Sequence, residues 1–233
     1  MRVKCVTADC TGGGHVFRTI HASADSVGGH VDFAFGPDNR PAFVYQDFTN
    51  GALMLARCAG TACNSVDIDT VAAAAGATND EYGSAVFRAQ GDDPLIGSRW
   101  SNTAGDSGVA FHDCSIEPCA DSQELVYYQI GNPVGLGSSM ALGLDDSPVF
   151  SYVDQTNIEL RFARCVEVDC SGFRHLEMLD DGDFTLEFDD NTSIGVRLDG
   201  RPVIAYQKTL ATLPAQTGLY VAECADFQCA DVH

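Results

Sequence analysis

Ten cysteines are the residues best able to do chemistry in this 233-residue chain, and they fall into five pairs of one form, Cys-x4-Cys: Cys5 and Cys10, Cys58 and Cys63, Cys114 and Cys119, Cys165 and Cys170, Cys224 and Cys229. Such a pair can bind a metal as thiolates or oxidise to a disulfide. Tetrahedral zinc needs four ligands, whereas each pair supplies two, with no His pattern beside it. A hairpin loop of four residues brings its ends within the roughly 4.4–6.8 Å Cα separation of a disulfide. The spacing therefore predicts five intra-repeat disulfides and an oxidising compartment.

The other chemistry is binding. Trp100 is the lone tryptophan and follows Arg99. An aromatic ring beside a charged group can stack on a sugar, and the alternative is that Trp100 packs in the interior, as large aromatics do on average. Asp47 and Asp154 stand where Trp100 stands in other repeats. Paired carboxylates support glycoside hydrolysis when their separation suits it. Asp80, Glu81, Tyr82, Asp181, Asp183 and Lys208 complete the candidate set. Asp180-Asp181-Gly182-Asp183 could offer oxygen ligands to calcium, but it lacks the alternating Asp spacing of an EF-hand loop and reads first as a polar turn. His112-Asp113 replaces the Ala-Arg that precedes Cys58 and Cys165, and His112 reads as a structural histidine. No nucleophile elbow, phosphate loop or zinc-protease helix is present, so no organic cofactor is expected.

Charge narrows the partners. Thirty-three acidic residues against thirteen basic ones leave a net charge of −20, and only Lys4 and Lys208 are lysines. Phosphate backbones and anionic lipid surfaces are repelled by such a chain. No stretch approaches the roughly 20 apolar residues of a membrane span. The chain opens inside a repeat, at Val3-Lys4-Cys5, so either it is cut from a longer array or its N-terminal half-blade packs somewhere specific.

The elements that position these residues recur in phase with the cysteines, whose pairs start 53, 56, 51 and 59 residues apart. That is the period of a repeat architecture. A Pro-led apolar segment precedes four of the pairs: Pro41-Ala-Phe-Val-Tyr45, Pro94-Leu-Ile-Gly-Ser98, Pro148-Val-Phe-Ser-Tyr152 and Pro202-Val-Ile-Ala-Tyr206. Pro at the first strand position loses little, and the β-branched and aromatic residues after it favour an extended backbone. Before each lies another apolar run, at 31–35, 85–89, 140–144 and 194–198, set off by a tight turn such as Asp199-Gly200. A third run leads into each cysteine pair and a fourth follows it. Each repeat thus offers four short antiparallel strands, A to D, and no window has a helical period. Four strands every fifty or so residues make the blade of a β-propeller. A β-sandwich is the rival, but its strands seldom carry a phase-locked marker.

The expected fold is all-β: a single array over residues 1–233, with a partial repeat at 1–26 and repeats at 27–79, 80–134, 135–183 and 184–233. These make four complete blades plus an N-terminal half-blade. The pattern Gly-x-Pro-Val-Ile-Ser-Tyr…Leu-x-Val-Ala-x-Cys-x4-Cys, closest over residues 138–170, resembles bacterial secreted propeller-type repeats of mostly unassigned function. The resemblance implies a propeller and a secreted or cell-surface setting. It carries over no catalytic residue, and the second repeat departs from it at Ser98.

Strand order puts the D–A and B–C connections on one face and the A–B and C–D connections on the other. Length varies on the first, and variable loops on a rigid scaffold are where binding sits. The sequence thus points to a non-catalytic extracellular module that recognises carbohydrate or another surface polymer through the D–A/B–C face, with Asp47, Arg99, Trp100, Asp154 and Lys208 as binding candidates. Near-equivalent blades offer several weak sites that gain by avidity. The alternatives are a polysaccharide-active hydrolase or lyase with one site near the central channel, and a structural repeat of a larger adhesin or filament.

Overall fold

Each strand B begins at its proline, where the missing N–H falls at the end of the ladder. The computed structural model describes residues 2–4, 16–72, 78–115, 119–181, 191–210 and 216–232. Blade 1 comprises β3 (Val27–Phe35), β4 (Pro41–Asp47), β5 (Ala52–Cys58) and β6 (Val66–Ala72). Blade 2 comprises β7 (Thr78–Phe87), β8 (Pro94–Asn102), β9 (Ser107–Asp113) and β10 (Gln123–Gln129). Blade 3 comprises β11 (Val134–Leu142), β12 (Pro148–Asp154), β13 (Glu159–Cys165) and β14 (Arg174–Asp181). In blade 4, β15 (Thr192–Val196), β16 (Pro202–Leu210) and β17 (Gln216–Glu223) form a sheet of three strands, and β1 (Arg2–Lys4) pairs with β2 (Val16–Arg18) as a half-blade. All neighbours are antiparallel and in sequence order, so every sheet is a meander.

Three details correct the sequence reading. The last repeat carries three strands instead of four among the described residues, because after Cys224 the chain makes only an isolated bridge, Cys224 with Val232. Strands A start earlier than the apolar runs, and in blades 2, 3 and 4 they stop earlier: residues 88–89, 143–144 and 197–198 belong to the turns that lead into strand B. The second blade opens at Thr78, two residues before the expected boundary at 80.

Four of the five predicted disulfides are formed, Cys58–Cys63, Cys114–Cys119, Cys165–Cys170 and Cys224–Cys229, with Cα separations of 4.8, 4.4, 5.0 and 4.7 Å. Cys5 and Cys10 lie outside the described residues. The second cysteine takes a left-handed backbone in three loops, with φ of 53° at Cys63 and 57° at Cys170 and Cys229. There its N–H reaches the carbonyl three residues back, at Gly60, Glu167 and Asp226. One loop conformation is therefore built three times.

Blades pack face to face, and each junction is a separate core. Ala42, Val44, Leu53 and Leu55 of blade 1 meet Ala85 and Ile96 of blade 2. Leu95, Val109 and Phe111 of blade 2 meet Met140, Phe150 and Tyr152 of blade 3, and Val149, Leu160 and Phe162 of blade 3 meet Ile194, Ile204 and Tyr206 of blade 4. Gly97 stands where other blades carry Val44, Ser151 and Ala205. A Cβ there would come within 2.8 Å of Met140 Cβ and 2.9 Å of Phe150 Cε1, so glycine admits the next blade. Blade 2 also replaces the strand B tyrosine with Ser98 and the strand C alanine with His112. Both are fully buried, and Ser98 Oγ lies 3.4 Å from His112 Nε2.

Short polar turns close the hairpins with a carboxylate that accepts the N–H two residues on: Asp38 from Arg40, Asp145 from Ser147, Asp199 from Arg201, Asp113 from Ser115 and Asp169 from Ser171. These bonds favour the ionised form. The N–H of Arg40 holds Asp38, that of Ser171 holds Asp169 and the Arg201 guanidinium holds Asp199 below the usual carboxylate range. At Asp113 and Asp145 burial pushes upward but is outweighed by the hydroxyl and N–H of Ser115 and Ser147, with Arg88 and Arg164 adding.

Two expectations follow from this construction. Replacing Cys165 and Cys170 together by Ser should lower stability by roughly 2 kcal/mol in urea denaturation, the entropic value of so short a loop. An unchanged midpoint would mean that the bridge does not constrain the unfolded chain. The depressed aspartates stabilise the fold above the unfolded Asp value of about 3.9, and that stability is lost as pH falls through their folded values. Relief of the net negative charge acts the other way, but at physiological salt it is screened beyond about 8 Å. The melting temperature should therefore fall below about pH 4. An Asp145→Asn, Asp199→Asn double variant should show a shallower fall.

Candidate functional site

Strand A is the innermost strand of each blade, and the four of them line a channel of about 540 Å³. Asp32, Ser84, Ser139 and Ser193 occupy one position in it, paired across the sheet with Val44, Gly97, Ser151 and Ala205. They tie the ring together. Ala85 N–H donates to Asp32 Oδ2 at 3.0 Å, Met140 N–H to Ser84 Oγ at 3.2 Å and Ile194 N–H to Ser139 Oγ at 3.3 Å, each from the following blade. One residue earlier, Ser138 donates to the carbonyl of Tyr82 at 3.4 Å and Thr192 to that of Gly137 at 2.8 Å, in the preceding blade. The inner strands thus use side chains to satisfy backbone groups that no strand pairs.

Two residues before that position the register of strand A slips in blades 1, 2 and 3, leaving a bulge. A bulge of this kind re-aims a side chain. At its centre the backbone is left-handed, with φ of 44° at His30, 54° at Tyr82 and 56° at Gly137. Glycine adopts this freely, whereas His and Tyr adopt it at a cost, and strain of this kind clusters at functional sites. The bulges bring the two side chains together at the channel mouth, on the D–A/B–C side. The rings of His30 and Tyr82 stack with centroids 4.3 Å apart and planes 18° apart, and Phe48 meets His30 edge-on at 5.4 Å. Phe48 lies over Gly29, where a Cβ would collide with its ring. His30 Nδ1 is 2.8 Å from Oε1 of Gln46, a buried amide on strand B. With the amide oxygen as acceptor, Nδ1 carries the proton and Nε2 is the basic nitrogen. Asp32, Ser138, Ser139, Asn191, Thr192 and Ser193 complete the polar lining, and Asp32 is its one carboxylate among the described residues.

A larger cleft of about 690 Å³ opens on the opposite rim, between blades 1 and 2. Two of its carboxylates, Asp69 and Asp93, are both ion-paired to Arg57, so the channel is the better candidate.

The residues singled out from sequence lie elsewhere on the channel-mouth face. Asp47, Trp100, Asp154 and Lys208 share one position, six residues after the strand B proline, and none lines the channel. Asp47 Oδ1 accepts the N–H groups of Thr49 and Asn50 at 3.0 and 3.1 Å, and Oδ2 accepts the Asn50 amide at 2.8 Å. Asp154 repeats this with Thr156 and Asn157. The motif Asp-x-Thr-Asn therefore stops strand B with a side-chain-capped turn. Where the position is Trp100 or Lys208, strand B runs two residues further. Asp154 Oδ2 also accepts from Gln129 of blade 2 at 3.3 Å.

Trp100 is partly exposed and meets Tyr128 edge-on at 6.3 Å. Its neighbour Arg99 is half-buried against Gly135 of blade 3. Lys208 Nζ contacts both oxygens of Asp180 at 2.6 and 2.9 Å, and the Tyr206 hydroxyl donates to Asp180 Oδ2 at 2.6 Å. Burial, with Asp180 adding, raises the Tyr206 phenol. Asp180 thus joins blade 3 to blade 4, while Gly182 and Asp183 lie outside the described residues, as do the side chains of Asp80 and Glu81. Of the sequence candidates whose side chains are described, only Tyr82 lines the channel. Its partner His30 was missed, and the one signal for it is the Gly28-Gly29 step that precedes it.

Neither a protein-family model nor a curated protein matches the sequence. Solved structures match the fold. A protein of unknown function from Dyadobacter fermentans aligns with a TM-score of 0.57 at 12% identity, over 81% of this chain and 51% of that one. A GH43 β-1,3-galactosidase gives 0.55 at 10% identity, over 84% and 43%, and an exo-β-1,3-galactanase from Clostridium thermocellum gives 0.53 at 11%, over 88% and 47%. This chain has the β-propeller fold. It spans about half the length of these structures.

The turn analysis predicts that Asp154→Ala lowers stability by roughly 1–3 kcal/mol in urea denaturation, because it leaves turn N–H groups and the Asn157 amide without their acceptor. Asp154→Asn, which keeps one acceptor oxygen, should recover part of the loss.

Proposed function

We propose that this propeller is an extracellular, non-catalytic module that binds a neutral glycan at the channel mouth, on the D–A/B–C face. The stacked His30–Tyr82 pair carries the reading. Its ring surface is held by Gln46 and faces a channel lined by Ser138, Asn191 and Thr192, a pairing of aromatic face and polar wall that suits the apolar faces and hydroxyl edges of a sugar. Apolar stacking with a few placed polar groups is the usual composition of a small-ligand site. Among the described residues Asp32 is the one carboxylate of the lining, and it accepts hydrogen bonds from Ala85 and Ser84. The four disulfides fit secretion or display at a cell surface.

A second reading, a polysaccharide-active hydrolase, is favoured by the structural neighbours that carry glycoside hydrolase names. Those names make β-1,3-galactan the first polymer to try. In a glycan-binding screen on the oxidised protein, the module should bind without releasing product. His30→Gly and Tyr82→Gly remove the rings and relax the left-handed backbone, so binding should weaken about tenfold or more while the melting temperature holds or rises. Product release abolished by Asp32→Asn would establish the hydrolase instead, and binding unaffected by either glycine variant would remove the channel mouth as the site.

A further inference from the structure

Because the blades repeat, each position can be compared with its counterparts. Leu53, Val109, Leu160 and Leu219 stand five residues before the first cysteine of a pair, and Leu55, Phe111, Phe162 and Val221 stand three before it. The six in blades 1, 2 and 3 are 0% exposed under the following blade, whereas Leu219 is 79% and Val221 51% exposed. The opposite face behaves alike. Ala85, Met140 and Ile194 are 5%, 3% and 8% exposed under the preceding blade, while their counterpart in blade 1, Phe33, is 54% exposed, as is Phe35 beside it. Ile20 and His21 lie over Tyr45 on that face, where the Tyr45 hydroxyl is 2.9 Å from His21 Nδ1, but the Phe33–Phe35 end is bare.

The ladder of inner hydrogen bonds stops at the same place. Asp32, Ser84 and Ser139 each accept an N–H from the next strand A, and Ser193, the next in the series, has no following strand A among the described residues. The two bare faces are the complementary halves of a junction that the chain builds three times within itself.

We propose that these faces dock one further inner β-hairpin of this repeat type. Its strands A and B stack on Leu219 and Val221 of blade 4 on one side and on Phe33 and Phe35 of blade 1 on the other, and an N–H of its strand A donates to Ser193. The three internal junctions supply both the packing and the hydrogen-bond pattern. Charge supports a hairpin like that of blade 4: residues 192–210 hold Arg197, Arg201 and Lys208 against Asp199, a net +2 beside a chain of −20.

The test is to titrate a synthetic peptide of residues 192–210 into the oxidised protein by calorimetry, with a scrambled peptide of the same composition as control. Saturable 1:1 binding is expected from the native peptide alone. Phe33→Asp and Leu219→Asp, both at exposed positions and checked for folding by circular dichroism, should each weaken it about tenfold or more. The proposal is overturned by no saturable binding, by equal binding of the scrambled peptide, or by sensitivity at neither face. Sensitivity at one face only would mean extension of a sheet end, which also overturns a bridging hairpin. Concentration-dependent self-association in sedimentation, abolished by the same substitutions, would give the faces to a second copy of this chain and equally end the hairpin reading.

Discussion

Every blade of this protein is apolar on both faces, and that constraint organises the rest. A sheet with two apolar faces gains by burying each of them against a neighbour, so the blades stack. Three separate cores result, one at each junction. Packing then dictates local sequence: Gly97 admits Met140 and Phe150, and Ser98 with His112 forms a buried polar pair where other blades carry tyrosine and alanine. The disulfides act within single blades and leave these junctions to packing and to the inner-strand hydrogen bonds.

Those inner bonds also explain why the channel is polar. Strand A has a partner on one edge only, and its other edge faces the channel. Buried backbone groups must find partners. Asp32, Ser84, Ser139, Ser138 and Thr192 supply them across blade boundaries. A ring of short polar side chains is thus a structural necessity before it is a binding surface. The His30–Tyr82 stack is different, because it is made by two aromatic rings whose residues hold a left-handed backbone that glycine adopts more readily.

One position illustrates how a repeat diversifies. Six residues after the strand B proline, Asp47 and Asp154 cap a tight turn, whereas Trp100 and Lys208 let the strand run on. The carboxylates there are engaged by their own turns. A capping aspartate and a ligand-facing one look the same along a chain, and only the turn N–H groups tell them apart.

The sequence by itself determined the all-β blades, the start of each strand B and four disulfide pairs, because each rests on local chemistry repeated in phase: proline at a strand start, a β-branched or aromatic run, and cysteines at the ends of a four-residue loop. It also placed the half-blade at the N-terminus. Tertiary structure alone decided the site. His30 and Tyr82 are 52 residues apart, and they meet because two strands slip register at equivalent bulges and two blades stack. No local preference of Tyr announces a positive φ, and the mild one of His does not single out position 30. The reach of Asp180 to Lys208 and the exposure of Phe33 and Leu219 likewise depend on which blade lies next, which is a property of stacking and not of any one repeat.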